Sequence, residues 1–133
     1  MSSKSKYLSS ILAPVSLGEL IDKITILEIK QIHMTGIKLK NVDKELKLLK
    51  NIIQDKNLEI DIDLINNLKE VNKNLWGIED NIRIKEINQE FDEEFIQLAR
   101  SVYKENDKRA SIKKEINQKY NSELVEEKSY NGY

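Results

Sequence analysis

Leu64, Leu68, Val71, Leu75, Ile78 and Ile82 step by four, three, four, three and four residues, a spacing that suits only one regular structure. At about 100° per residue these positions share one side of an α-helix, whereas in a strand they would scatter over both faces. The rhythm lasts for almost three heptads, so the helix it implies is long and needs a partner along most of its length. Leu39, Val42, Leu46, Leu49 and Ile53 repeat the pattern in steps of three and four. The chain is therefore expected to be all-α, a small bundle of about four helices that includes a long antiparallel hairpin.

Local signals set the boundaries. Pro14 is the only proline. Just after it, Ser16 and Glu19 fit a capping box and Val15 with Leu20 fits a hydrophobic staple. This predicts a first helix from about Leu17 to Thr35, with Gly36 as its C-terminal cap. Its broad apolar arc is Leu20, Ile21, Ile24, Leu27 and Ile32. Glu28 and Gln31 project into that arc, while Glu19, Lys23, Lys30 and His33 face away. A second helix is expected over about Lys38–Lys56, with Lys40, Lys44, Lys47 and Lys50 outward. The stretch 57–63 reads as a linker in which Asp61 or Asp63 caps a third helix, about Leu64–Gln89. A turn near Phe91 and Asp92 leads to a fourth helix, about Glu93–Lys119. One domain is expected over 1–133, with a flexible segment at 1–13 and a charged tail at 121–133.

The fourth helix breaks the apolar rule. Phe95, Leu98, Ala99 and Val102 keep the rhythm and Ile116 resumes it, but positions 106, 109 and 113 are Asn, Arg and Lys. A helix that turns charge inward must provide partners, because an unpaired buried charge costs several kcal/mol. Counting outward from the turn places Trp76 level with Asn106, and Asn72 level with Ala110. Two readings follow. In the first, Arg109 pairs with Glu28 or Glu79 inside an ion-pair network, with Asn106 and Gln31 completing the hydrogen bonds. In the second, Arg109, Lys113 and Asn106, with Arg83, Trp76 and Glu28 nearby, line a site for an anionic small molecule.

Acidic pairs offer a third reading. Glu19 with Asp22 and Glu90 with Glu93 have the one-turn spacing at which two carboxylates share magnesium, as in all-α nucleotide pyrophosphohydrolases. The capping box already accounts for Glu19, and 23 acidic residues generate such pairs freely, so no metal site and no cofactor are expected.

Composition narrows the function classes. A net charge of -1 with 34% charged residues lacks the basic excess of a phosphate-binding surface, so no nucleic-acid partner is expected. There is no cysteine and only one histidine, which leaves thiol chemistry, disulfides and the usual zinc ligand sets without material. No apolar run is long enough to span a membrane, and a cytoplasmic protein is expected. Lysines outnumber arginines by 19 to 3, a bias shared by residues with AT-rich codons.

Four blocks carry a family resemblance: VSLGELIDKITILEIK (15–30), LWGIEDNIR (75–83), FIQLARSVYKENDKRA (95–110) and LVEEKSY (124–130). Together they resemble a small domain-of-unknown-function family of bacteria and marine phages, which implies that the tail belongs to the same unit and docks on it. A fainter likeness is to the all-helical chorismate mutases, through Asp107, Arg109 and Lys113. Against it, Asp107 points off the seam and the N-terminal arginine of those enzymes is missing. The function expected is a helical binding or assembly module that self-associates through the leftover apolar arc of the first helix or meets a protein partner. The alternative is a small all-α enzyme acting on an anionic molecule.

Overall fold

The computed structural model describes residues 8–129. Residues 1–7 of the N-terminal segment and 130–133 of the tail, with Tyr130 and Tyr133, lie outside the described residues. Four α-helices follow in order: α1 (Leu17–His33), α2 (Gly36–Asp55), α3 (Ile62–Ile87) and α4 (Glu93–Lys119). α1 packs against each of the other three, α3 and α4 pack along each other, and α2 lies on α1, with Ile53 at the edge of the core between α1, α3 and α4. The shortest helix is thus the hub.

α1 can be central because its sequence carries two seams. Leu20, Ile24 and Leu27 meet Val42 and Leu46 of α2 in one apolar cluster. Ile21 meets Leu64 and Leu68 of α3 and Ile116 of α4 in a second. A further row, Gly18, Asp22, Thr25 and Ile29, steps by four, three and four and is buried throughout. The apolar arc expected to remain for self-association is consequently used up inside the fold; of its members only Ile32 stays well exposed.

The helix ends follow the capping signals, with two changes. Ser16 Oγ accepts from Glu19 N at 3.0 Å, which realises half of the capping box. Glu19 does not reach back, because its carboxylate is held by Lys113 at 2.6 Å; it faces α4 rather than solvent. Gly36 does not cap α1. That helix ends at His33 with Met34 extended, and Gly36, at φ +65°, opens α2 and turns the chain back along α1. The other three helices end without glycine. Asn57, Gln89 and Asn121 adopt positive φ, and each lies in a reversal closed by paired bonds such as Leu58 N to Ile53 O and Glu90 N to Lys85 O, the Schellman arrangement.

α3 and α4 run antiparallel, as pairs along their length record: Asp61 with Lys119, Asn74 with Glu105, Lys85 with Asp92. An aspartate caps each helix of this hairpin and also takes a lysine. Asp61 accepts from Asp63 N at 2.9 Å and pairs with Lys119; Asp92 accepts from Phe95 N at 3.0 Å and pairs with Lys85. The Lys119 hydrogen bond, aided by Asp63 N, lowers the Asp61 pKa. The bond from Phe95 N, aided by Lys85, does the same for Asp92. In turn the aspartates raise Lys119 and Lys85.

A carboxyl whose pKa falls on folding stabilises the fold above its unfolded pKa of about 3.9 and loses that contribution as pH drops through the lower folded value. A lysine whose pKa rises contributes fully below about 10.4 and loses it only as pH climbs past the raised value. Thermal melts are therefore expected to decline below about pH 4. Asp61→Asn with Asp92→Asn, which keeps a cap acceptor but removes the charge, should flatten that acid limb.

Candidate functional site

The odd polar residues of α4 form a stripe that α1 docks upon. Asn117 Oδ1 accepts from Gly18 N at 2.7 Å. One turn earlier Lys113 pairs with Glu19, and a further turn back Arg109 grips Asp22. Asn106 ends the row, with Oδ1 at 3.5 Å from an Arg109 nitrogen. The two helices thus zip together in one-turn steps through polar contacts. They can approach this closely because residue 18 is glycine: a Cβ there would stand 2.5 Å from the Lys113 carbonyl oxygen.

Asp22 is the centre of the arrangement. Its side chain is fully buried, with 0% relative exposure. Oδ1 accepts from Asn72 Nδ2 at 2.9 Å and from Arg109 Nε at 2.9 Å. Oδ2 takes the second arm of the Arg109 fork through its terminal nitrogen. Thr25 Oγ1 donates to the Asp22 carbonyl at 2.8 Å and accepts from Asn72 at 3.0 Å. Three helices therefore meet on one carboxylate whose oxygens are all satisfied, the condition under which a buried charge is tolerable. The Asp22 hydrogen bonds raise the Arg109 pKa, so the guanidinium is held firmly in its charged form.

The partner is Asp22, and neither Glu28 nor Glu79 as expected. Glu28 lies on the other flank of α1, between Lys50 at 3.1 Å and Lys69 at 3.3 Å. Glu79 lies further along the hairpin and takes Arg83 of its own helix at 3.1 Å, so Arg83 is not near Arg109. Gln31 bonds Asp43 of α2 on the exposed side. Trp76 stacks on His33 with centroids 4.7 Å apart, covering the end of α1. Of the six candidate residues, the structure brings together Asn106, Arg109 and Lys113 and places Arg83, Trp76 and Glu28 elsewhere.

Two clefts flank the stripe beside the tail. One, of about 340 Å³, is lined by Tyr103, Asn106, Arg109, Lys113 and Lys128. The other, of about 410 Å³, lies between α4 and the tail. A third, of about 300 Å³, borders Asp22 and Arg109 together with Lys23, Lys30 and Glu45. The tail stays on the body through Ser122 Oγ, which accepts from Leu17 N at 3.1 Å, and through Lys128 with Asp107 and Glu127 with Lys114. Docking is thus partial and polar. The cations of the first cleft each face an acid already: Asp22, Glu19 and Asp107. The same pairing fills Glu19 and Asp22 with lysine and arginine, the opposite of a vacant magnesium pair.

The second notable surface is the outer hairpin. At 1.5 Å per residue, the 26 residues of α3 and 27 of α4 run about 39–40 Å, against about 26 Å for the 17 of α1. Beyond Trp76 no third helix covers the hairpin among the described residues. No residue from Lys73 to Glu115 is buried, and Ile84, Ile87, Phe91 and Ile96 are exposed. The heptad positions Ile78, Ile82, Phe95, Leu98 and Val102 reach only intermediate burial. Residues 77–105 form an arm.

Asp22 as the partner, Asn117 and Gly18 escape a residue-by-residue reading of the sequence, which does set Asn72 level with the stripe. The signal for the first and third was the row of Gly18, Asp22, Thr25 and Ile29 at heptad spacing, a seam of small and polar residues hidden beside a stronger aliphatic one. No helix among the described residues is long and apolar enough to cross a membrane. No curated protein and no solved structure matches the chain. A family model does, over residues 12–133, so the chain belongs to DUF6165, a family of unknown function.

Proposed function

We propose that the protein is a helical assembly module, a small body that holds out a two-helix arm for another polypeptide to complete. The observation that carries this reading is the contrast along one hairpin. Its base is sealed by Leu64, Leu68 and Ile116, while its outer part buries nothing and exposes Ile84, Ile87, Phe91 and Ile96. Helices are stabilised mainly by packing an apolar face against neighbours, and a pair with one shared seam leaves its remaining apolar surface unpartnered. Contiguous exposed apolar groups rimmed by charge mark interaction surfaces. A cytoplasmic setting belongs to this reading.

Hydrogen exchange tests it directly. In dilute solution, amides of residues 77–105 should exchange well ahead of those in α1 and the hairpin base, and should gain protection on association. Were the arm of a dilute monomer as protected as α1, it would need no partner, and the reading would be lost.

A second reading, an anionic ligand in the 340 Å³ cleft, is favoured by the convergence of Arg109, Lys113 and Lys128 there. An incoming anion would have to compete with carboxylates already in place, one of them fully buried. For that reason the stripe serves the fold better than it serves a ligand.

A further inference from the structure

The arm and α2 carry opposite surfaces. Residues 79–94 hold seven carboxylates against Arg83 and Lys85, a net charge of -5. Asp80, Glu86 and Glu90 are exposed and enter no ion pair among the described residues. Among these acids stand the apolar side chains Ile84, Ile87 and Phe91, exposed by 54%, 79% and 58%.

α2 shows the reverse. Its inner face is committed to α1, and of its three acids Glu45 and Asp43 are engaged by Lys23 and Gln31, while Asp55 stands exposed in its last turn. On the outer side Lys40, Lys44 and Lys47 are exposed and likewise enter no ion pair among the described residues. Beside them runs a stripe of Ile37, Leu48 and Ile52, all exposed. At 100° per residue these three fall within about 60° of one another.

We propose that the polypeptide completing the arm is a second copy of this chain, whose α2 receives the acidic arm on its lysine-flanked apolar stripe. This rests on the assembly reading above and names its partner. The contact joins two different patches of one chain, so it closes only if it is reciprocal. α2 runs back along α1 from the end nearest the arm, so two chains laid antiparallel put each arm alongside the other's α2, and both contacts form in one two-fold dimer. Tip against tip is disfavoured, since it would oppose two patches of charge -5. Complementary charge of this kind selects partner and register and weakens with salt.

The test uses the full chain and reads mass by light scattering or sedimentation, with circular dichroism confirming that each variant keeps its helicity. Wild type should show twice the 15.6 kDa chain mass, with dissociation favoured by salt. Lys40→Glu with Lys44→Glu and Lys47→Glu makes both patches acidic, while Asp80→Lys with Glu86→Lys and Glu90→Lys makes both basic. Each triple variant alone should be monomeric. Mixed in equal amounts, the two should recover the dimer mass, because each arm then meets an α2 of opposite sign. A wild type that stays monomeric at every concentration overturns the proposal, as does a dimer that persists in either triple variant. A monomer whose arm still exchanges fast refutes the self-partner alone; a monomer with a protected arm refutes the assembly reading as well.

Discussion

Arg109→Ala is expected to destabilise the protein by about 3–5 kcal/mol, the usual cost of stripping one partner from a buried ion pair. The cost arises mainly at Asp22. That carboxylate has no exposure, and without the guanidinium fork it keeps only the Asn72 amide as a side-chain donor. Arg109 itself is partly open to water, with 30% of its side chain exposed, which places the expected effect toward the lower end. At roughly 4 °C per kcal/mol for a chain of this size, the melting temperature should fall by more than about 10 °C. Arg109→Lys should recover only part of the loss, since a single ammonium cannot form the two-pronged contact. Asp22→Leu with Arg109→Met should recover far more than either change alone, because an apolar pair leaves no buried charge behind. If Arg109→Ala melts like the wild type, the pair does not hold the three helices together.

Gly18→Ala is expected to cost roughly 1–3 kcal/mol, more than an alanine normally would at an early helical position. Alanine is the better helix former, so the local preference favours the variant and the loss must come from packing. The added methyl would stand 2.5 Å from the Lys113 carbonyl oxygen and 3.0 Å from Asn117 Oδ1. Because the first of these is backbone, α1 and α4 must move apart. That movement would weaken the Gly18 N bond to Asn117 and loosen the Glu19–Lys113 and Asp22–Arg109 rungs that follow. Gly77→Ala is the control: a Cβ there meets nothing within 4 Å, so stability should be unchanged or slightly higher. Thermal melts of the two variants decide the matter, and equal stabilities would show that the close approach at Gly18 is unimportant.

Much of the fold was legible because helices announce themselves through spacing. α4 begins and ends at the expected residues, Glu93 and Lys119, and Asp61 caps α3 as one of two candidates. The inward position of Asn106, Arg109 and Lys113 was legible too, since it follows from the same 100° rotation as the aliphatic seam. What spacing could not give was the partner. Glu28, Glu79 and Asp22 are equally good acids in a list; the hairpin register sets Glu79 away from Arg109, and the choice between Glu28 and Asp22 depends on which flank of α1 meets α4. Glu28 lost that choice because its flank faces Lys50 and Lys69.

The sequence by itself thus determined an all-helical chain with a long hairpin and an inward polar stripe, because periodicity and capping are properties of a single helix. Only the tertiary structure decided that α1 is buried on two sides, that Asp22 anchors the stripe, and that the outer hairpin stands uncovered. Those outcomes depend on relative helix length and crossing. A 17-residue helix cannot cover a hairpin of 26- and 27-residue arms, and nothing in the pattern of either helix records where the cover stops.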